Sequence, residues 1–298
     1  MAIRMTDLRQ QANEALKRGD IEEALHLLKR LLDAPNTELE RGELLIEIAA
    51  AYVFDDALDE AEAHFNDALN IAHRFRAAAL QMRCLFGLGE VATRRKDHRQ
   101  AIRYYLQLMP LTREHNDQQG TMRVLAAIGD TYAYMNKPAQ AIEYHYQALQ
   151  IATRLAHIEG QKRALSRLGN LYSLLERWDR AQDYYQQALD LATRTQDLQG
   201  ESVCLGNMAM LFAATNRPTQ ALEYLQQAVQ ISRQIGDAVG EAHRLGAMGM
   251  VYASIHDYAN AIQRYEEAAA LYQSLNMEQA AAAMRTRLQT LRTQYDSY

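Results

Sequence analysis

The sequence predicts an all-α protein built from repeated helix pairs, and two observations support this fold class. Hydrophobic residues, many of them Ala and Leu, make up 48% of the 298 residues, whereas only 14 Gly and 4 Pro occur. Ala, Leu, Gln, Arg and Glu are abundant, and all five favour helices. The second observation is a period of forty residues through most of the chain. Repeated helical units stack on one another to bury a continuous core, which is the architecture of an α-solenoid.

The forty-residue period recurs in several independent columns. One column consists of glycines: Gly120, Gly160, Gly200 and Gly240. A second column holds small residues: Ala49, Gly89, Gly129, Gly169, Ala209 and Gly249. A third column is alanine throughout: Ala61, Ala101, Ala141, Ala181, Ala221 and Ala261. Agreement between columns at one spacing indicates true internal repeats.

Each repeat is predicted to contain two helices. Leu125, Ile128 and Tyr132 follow the spacing of one apolar helical face. Pro138 then stands where the first turn of a second helix tolerates proline. Aspartates that precede the first helices are predicted N-caps: Asp117, Asp197 and Asp237.

The period also predicts the domain organisation. We expect a divergent N-terminal helix pair over 1–38, six repeats of about forty residues over 39–277, and a capping helix with its tail over 278–298. Ala281, Met284 and Leu288 share one face of the last helix, as a helix covering the final repeat requires.

The order of residues within each repeat resembles the tetratricopeptide repeat (TPR) family. Its pattern of apolar residue, Leu, Gly, Tyr, Ala, aromatic residue and Ala is met by Leu165, Leu168, Gly169, Tyr172, Ala181, Tyr185 and Ala188. Repeats of forty residues exceed the usual family length and look like those of Pins/LGN polarity proteins and bacterial relatives. HEAT repeats fit the length alone, but the residue order favours TPR. The resemblance implies a right-handed TPR α-solenoid of about seven helix-turn-helix repeats, whose first helices line a concave groove that binds peptides.

The face of each first helix opposite its core residues contains the candidate binding residues, and we call this face the stripe. It contains no Lys, unlike an ordinary solvated helix face, and combines arginines with apolar side chains. The candidate peptide-binding residues are Arg83, Glu90, Arg123, Asp130, Tyr134, Arg163, Arg167, Asn170, Leu174, Asn207, Met210, His243 and Met250.

The stripe predicts a ligand with two kinds of anchor. Arginines at 83, 123 and 163 suit carboxylates, and the methionines at 210 and 250 offer an adaptable apolar surface. We therefore expect an extended segment with acidic and apolar anchors at separate places. Alternatively, the arginines pair with Glu90, Asp130 and each other to join neighbouring repeats. The carboxylate clamp of chaperone-binding relatives is disfavoured, because Ala127 stands where that pattern needs Asn.

The sequence contains no recognisable catalytic motif. It has no Gly-rich phosphate loop, His-Glu-x-x-His pair, Cys-x-x-Cys or nucleophile elbow, so we predict no enzyme, no metal site and no cofactor. His145, Cys84 and Cys204 are interpreted as packing residues, and two distant cysteines suit a reducing compartment.

Charge and hydropathy narrow the partner class. The formal charge of −5 argues against nucleic-acid binding driven by bulk positive charge. No apolar run approaches the ~20 residues of a membrane span, and the first residues lack a signal-peptide core, so we expect no membrane insertion and a cytoplasmic location. The prediction is a non-catalytic scaffold that binds another protein or a peptide segment. The alternative is a sensory or regulatory array that controls a transcription or signalling partner. Monomer and weak dimer both stay open.

Overall fold

The computed structural model describes residues 5–34 and 37–295, and all regular structure in this part of the chain is helical. Its fifteen helices are α1 (Met5–Arg18), α2 (Ile21–Leu32), α3 (Glu38–Phe54), α4 (Leu58–Phe75), α5 (Ala78–Arg94), α6 (His98–Glu114), α7 (Gln118–Tyr134), α8 (Pro138–Arg154), α9 (Ile158–Leu174), α10 (Trp178–Arg194), α11 (Leu198–Ala214), α12 (Pro218–Ile235), α13 (Ala238–Ser254), α14 (Tyr258–Ser274) and α15 (Glu278–Tyr295). The all-α prediction is confirmed. Contacts divide the chain into an N-terminal half, Met1–Ile151, and a C-terminal half, Ala152–Tyr298.

The first helices begin at intervals of forty residues from α3 onward, and α15 begins in the same register. Leu288 and Leu291 of α15 pack in one buried cluster with Tyr265 of α14. One face of α15 is therefore buried, as predicted for the last helix. By register, Arg285 and Gln289 occupy the positions of the buried Leu245 and Gly249, and both are exposed.

A left-handed residue ends nearly every helix. Positive φ recurs every twenty residues from Asp56 to Asn276, and only one of these twelve residues, Gly236, is glycine. At Asn136 the backbone N–H bonds the Ala133 carbonyl at 3.0 Å, and the Lys137 N–H bonds the Tyr132 carbonyl at 2.9 Å. These bonds are those of a Schellman motif, which satisfies the last carbonyls of the helix.

Side chains in the turns cap the first helices. Carboxylates of Asp117, Asp197 and Asp237 accept hydrogen bonds from the N–H groups of Gly120, Gly200 and Gly240 at 2.8, 3.0 and 2.9 Å, which confirms the predicted caps. A Cβ built on Gly120 would overlap the Asp117 carboxylate. The first glycine column therefore leaves room for the cap.

The second small-residue column gives room to rings of the second helices. A Cβ at Gly129 would lie 2.8 Å from Nε2 of His145, and one at Gly169 would lie 2.5 Å from Cδ1 of Tyr185. His145 is only 1% exposed, which confirms its prediction as a packing residue.

Candidate functional site

The stripe lies on an accessible face of the first helices. Its thirteen candidate residues belong to α5, α7, α9, α11 and α13, and each of them is exposed or partly exposed. The apolar members are the informative ones, since Tyr134 and Leu174 are each 63% exposed. Burial of such side chains against a partner is favourable, because it removes apolar surface from water.

Three predicted residues come together around a cavity in the N-terminal half. Arg83, Glu90 and Arg123 line a cavity of about 440 Å³, and the others do not. Its remaining walls come from α3 to α7 and are mainly apolar: Ile46, Ala50, Phe65, Ala79, Met82, Phe86, Gly87, Leu108, Thr112, Asp117, Gly120 and Val124. The volume is within the range of about 300–1,000 Å³ that is usual for ligand pockets.

Arg83 forms an ion pair with Glu43, which lies forty residues earlier on α3. The alternative interpretation expected such arginines to join repeats, and Arg83 does so, although its partner is Glu43. Arg9 makes a similar pair with Glu47. Both side chains of the Arg83 pair are substantially exposed, so the pair contributes little to stability.

Arg123 has a different environment. Its guanidinium carbon lies 4.6 Å from the centre of the Phe86 ring, a cation–π contact between α7 and α5. Within residues 5–34 and 37–295, no carboxylate comes within 4.0 Å of Arg123. Its positive charge is thus balanced by an aromatic face and by solvent.

Rings of the second helices reach two polar members of the stripe. The Tyr185 hydroxyl donates to Oδ1 of Asn170 at 2.7 Å, and burial raises the pKa of Tyr185 to about 12. Forty residues earlier, Nε2 of His145 lies 3.4 Å from Oδ1 of Asp130. Sequence reasoning missed both pairs, although each has the same fifteen-residue separation.

The stripe of the C-terminal half exposes further apolar side chains. Met210 is 40% exposed, Val203 is 40% exposed and Met250 is 36% exposed. Nη1 of Arg287, on α15, lies 3.6 Å from Sδ of Met250. The prediction missed Arg287, but the period signals it, because Arg287 stands eighty residues after Asn207 and in the same column.

Metal-ligand clusters, membrane-spanning helices and reactive thiols would each indicate another kind of function for the residues that the structure describes. Among those residues, no group of three or more His, Cys, Asp or Glu could hold a metal ion. No helix in the described part of the chain is long and apolar enough to cross a membrane. Burial raises the pKa of the free thiols of Cys84 and Cys204 to about 12 and about 11.

A family model for the tetratricopeptide repeat matches residues 40–114, 82–154, 120–194, 160–234 and 204–274. The chain belongs to the tetratricopeptide repeat family. This confirms the resemblance drawn from the residue columns, and the TPR fold is typical of protein–protein interaction.

Solved structures show the same fold at low identity. A Signal Transduction ATPase with Numerous Domains (STAND) protein with a tetratricopeptide repeat sensor, from Pyrococcus horikoshii, is 16% identical with a TM-score of 0.77. The likeness covers 94% of this TPR chain and 44% of that chain, so this chain spans under half of its length.

Two Rap protein structures also share the fold of this chain. The apo form of RapI is 14% identical with a TM-score of 0.69, over 92% of this chain and 100% of that one. A Rap protein complexed with Competence and Sporulation Factor is 14% identical with a TM-score of 0.64, over 98% and 76%. These likenesses show the fold, an all-α repeat solenoid. None of the curated proteins matches the sequence significantly.

Proposed function

We propose that this TPR protein is a non-catalytic interaction scaffold whose stripe binds an extended peptide segment of a partner protein. One observation carries the proposal: the stripe exposes large apolar side chains, Leu174 at 63% and Met210 at 40%, together with Arg123, which has no carboxylate partner among the described residues. Exposed apolar groups and a cation that no described carboxylate neutralises, each on the equivalent face of its own first helix, suit a ligand that supplies apolar and acidic groups.

The two kinds of anchor follow from side-chain chemistry. The planar guanidinium of arginine binds a carboxylate through two parallel hydrogen bonds, which a peptide supplies with Asp or Glu. Methionine side chains are flexible and polarisable, so Met210 and Met250 adapt to apolar groups of different shape.

A second candidate function is a sensory or regulatory array that receives a signal through the same stripe. The name of the STAND protein favours it, since that protein carries a tetratricopeptide repeat sensor. A sensor of this kind binds its ligand and then changes the activity of a signalling or transcription partner. A scaffold differs from such a sensor because it binds its partner without changing the partner's activity.

Peptide display against the purified protein tests the proposal. Peptides selected on the wild type are measured on a stripe variant that carries Arg123→Ala, Arg163→Ala, Met210→Asp and Met250→Asp. A control variant carries two Arg→Ala changes and two changes from an apolar or aromatic residue to Asp, all at exposed positions of second helices: Arg103→Ala, Arg180→Ala, Leu106→Asp and Tyr146→Asp.

The helicity of each variant is checked by circular dichroism. We expect the selected peptides to lose binding to the stripe variant and to keep it with the control. Peptides that lose binding only to the control would move the site to the second helices and refute the proposal.

A further inference from the structure

The cavity of about 440 Å³ and Arg123 occupy the same place in the N-terminal half. We propose that this cavity receives a bulky apolar side chain of the bound peptide, while Arg123 binds the carboxylate of a neighbouring residue in that peptide. The inference rests on the proposed function and deepens it, because it names a composite acidic and apolar anchor. The sequence alone predicted these anchors at separate places.

The cavity, with a volume of about 440 Å³, suits a bulky side chain. Its lining includes Phe65 and Leu108, which lie on the second helices and are 3% and 2% exposed. Side chains of the second helices therefore contribute to the floor of the cavity. The Phe65 ring packs directly against Gly87, where an added Cβ would overlap Cζ of Phe65, so this ring forms the cavity wall beside the glycine.

The charges around the cavity favour Arg123 over Arg83 as the acid anchor. Glu43 already neutralises Arg83, so a ligand carboxylate would have to displace a carboxylate of the protein. The Arg123 guanidinium lies over the Phe86 ring and has no ion-pair partner among the described residues, and binding of a carboxylate leaves the ring contact possible because an arginine can stack and donate at once.

Charge complementarity also selects the occupant. The chain carries a net charge of −5, and the cavity lining itself includes Glu90 and Asp117, the second of which caps α7. An acidic group is therefore expected at Arg123, which has no carboxylate within 4.0 Å among the described residues. Apolar walls beside such a cation match a residue pair of a peptide in which a bulky apolar side chain adjoins Asp or Glu. The cavity borders stripe residues on α3, α5 and α7, which leaves the rest of an extended peptide a surface to follow.

The test uses short synthetic peptides in which one Phe and one Glu are separated by zero, one or two Gly or Ser residues. Fluorescence anisotropy gives their Kd for the wild type, for Arg123→Gln and for Ala50→Phe, which fills the cavity mouth. Arg103→Gln and Ala139→Phe are the matched controls, since both residues are exposed outside the cavity. Each binding peptide is also made with Glu replaced by Gln and with Phe replaced by Ala.

We expect Arg123→Gln to weaken the Glu peptide about 10-fold or more, and to leave the Gln peptide nearly unchanged. Ala50→Phe should weaken the Phe peptide and leave the Ala peptide unchanged. If Ala50→Phe fails to fold, the inference is still tested by the double-mutant cycle that compares wild type and Arg123→Gln with the Glu and Gln peptides. Equal losses for the Glu and Gln peptides would overturn the inference.

The failure of this inference is distinguishable from failure of the proposed function. If displayed peptides bind and lose affinity with Met210→Asp and Met250→Asp, but not with Arg123→Gln, the composite anchor is wrong and the interaction scaffold stands. If no peptide, displayed or synthetic, binds the wild type, both are wrong.

Discussion

The carboxylate of Asp197 accepts a hydrogen bond from Nζ of Lys162 and a second from the backbone N–H of Gly200. Lys162 lies on α9, whereas Asp197 caps α11, so one carboxylate joins two successive first helices. Both hydrogen bonds lower the pKa of Asp197 below its ordinary value of 3.8, and the bond from Lys162 has the larger effect. The same bond raises the pKa of Lys162.

This pair predicts a loss of stability in acid. Because the pKa of Asp197 is lower in the folded than in the unfolded chain, its contribution is fully present above pH 3.8 and is lost as the pH falls through the folded pKa. Because asparagine caps a helix about as well as aspartate, Asp197→Asn mainly removes the ion pair with Lys162. We expect it to cost about 1 kcal/mol at pH 7, and the difference in Tm from wild type to shrink toward pH 2. Thermal unfolding across this range measures it. The exposed Asp179→Asn is the control, and a difference that stayed constant with pH would contradict the prediction.

The left-handed turns predict a stabilising substitution. Ala156 has φ of 49°, a region that costs an L-residue with a Cβ about 1–2 kcal/mol. We expect Ala156→Gly to raise the free energy of unfolding by about 1 kcal/mol. Asn136 has φ of 55°, but asparagine tolerates this region, so Asn136→Gly should change stability by only a few tenths of a kcal/mol. Urea unfolding compares the two, and an equal effect would refute the explanation.

Gly169 and Tyr185 are predicted to be energetically coupled. The Cβ that alanine adds at 169 would lie 2.5 Å from the Tyr185 ring, so we expect Gly169→Ala to cost about 1–3 kcal/mol. In the next repeat the equivalent positions hold Ala209 and Leu225, which share a buried cluster. The double variant Gly169→Ala/Tyr185→Leu should therefore be more stable than the sum of the single changes predicts, by about 1 kcal/mol. A cycle of Gly169→Ala with Tyr184→Leu is the control, and coupling there of the same size would exclude a specific contact.

Burial predicts that the two thiols are unreactive in the folded protein. The pKa values of about 12 for Cys84 and about 11 for Cys204 leave almost no thiolate at pH 8. We expect alkylation by iodoacetamide to be at least about 100-fold slower than in guanidinium chloride, as followed by mass spectrometry. An exposed thiol introduced by Ala139→Cys should react quickly in the same sample. Rapid labelling of Cys84 in the folded chain would show that its helices open readily.

Periodicity predicted the helices well because helix-pair packing repeats the same small and large residues. The Asp117 cap followed from a local rule about the residue types that precede helices. The left-handed turns were not predicted, because backbone hydrogen bonds define them and their residues vary from Asp56 through Ala156 to His256. Asparagine at 136 is a typical residue there, but Ala156 carries no signal of its own.

The exposed positions of the stripe also followed from helical geometry, since residues on one face recur at a known angle. The contacts that the stripe residues make could not be predicted in this way. The pair of Arg83 with Glu43 depends on the displacement between successive first helices, which the repeat length alone does not determine. The cavity beside Arg123 depends on the volumes of side chains from five helices, so no single stretch of sequence encodes it.

Photo-crosslinking tests the central claim most directly. Peptides selected on the wild type are synthesised with a benzophenone residue at successive positions and irradiated with the protein. Mass spectrometry then locates the crosslinked residues of the protein. The account predicts crosslinks on the stripe of the first helices, including α5 and α7 around Phe86 and Arg123. Crosslinks confined to the second helices, or unchanged crosslinking in the Arg123→Gln variant and in the Met210→Asp/Met250→Asp variant alike, would contradict it.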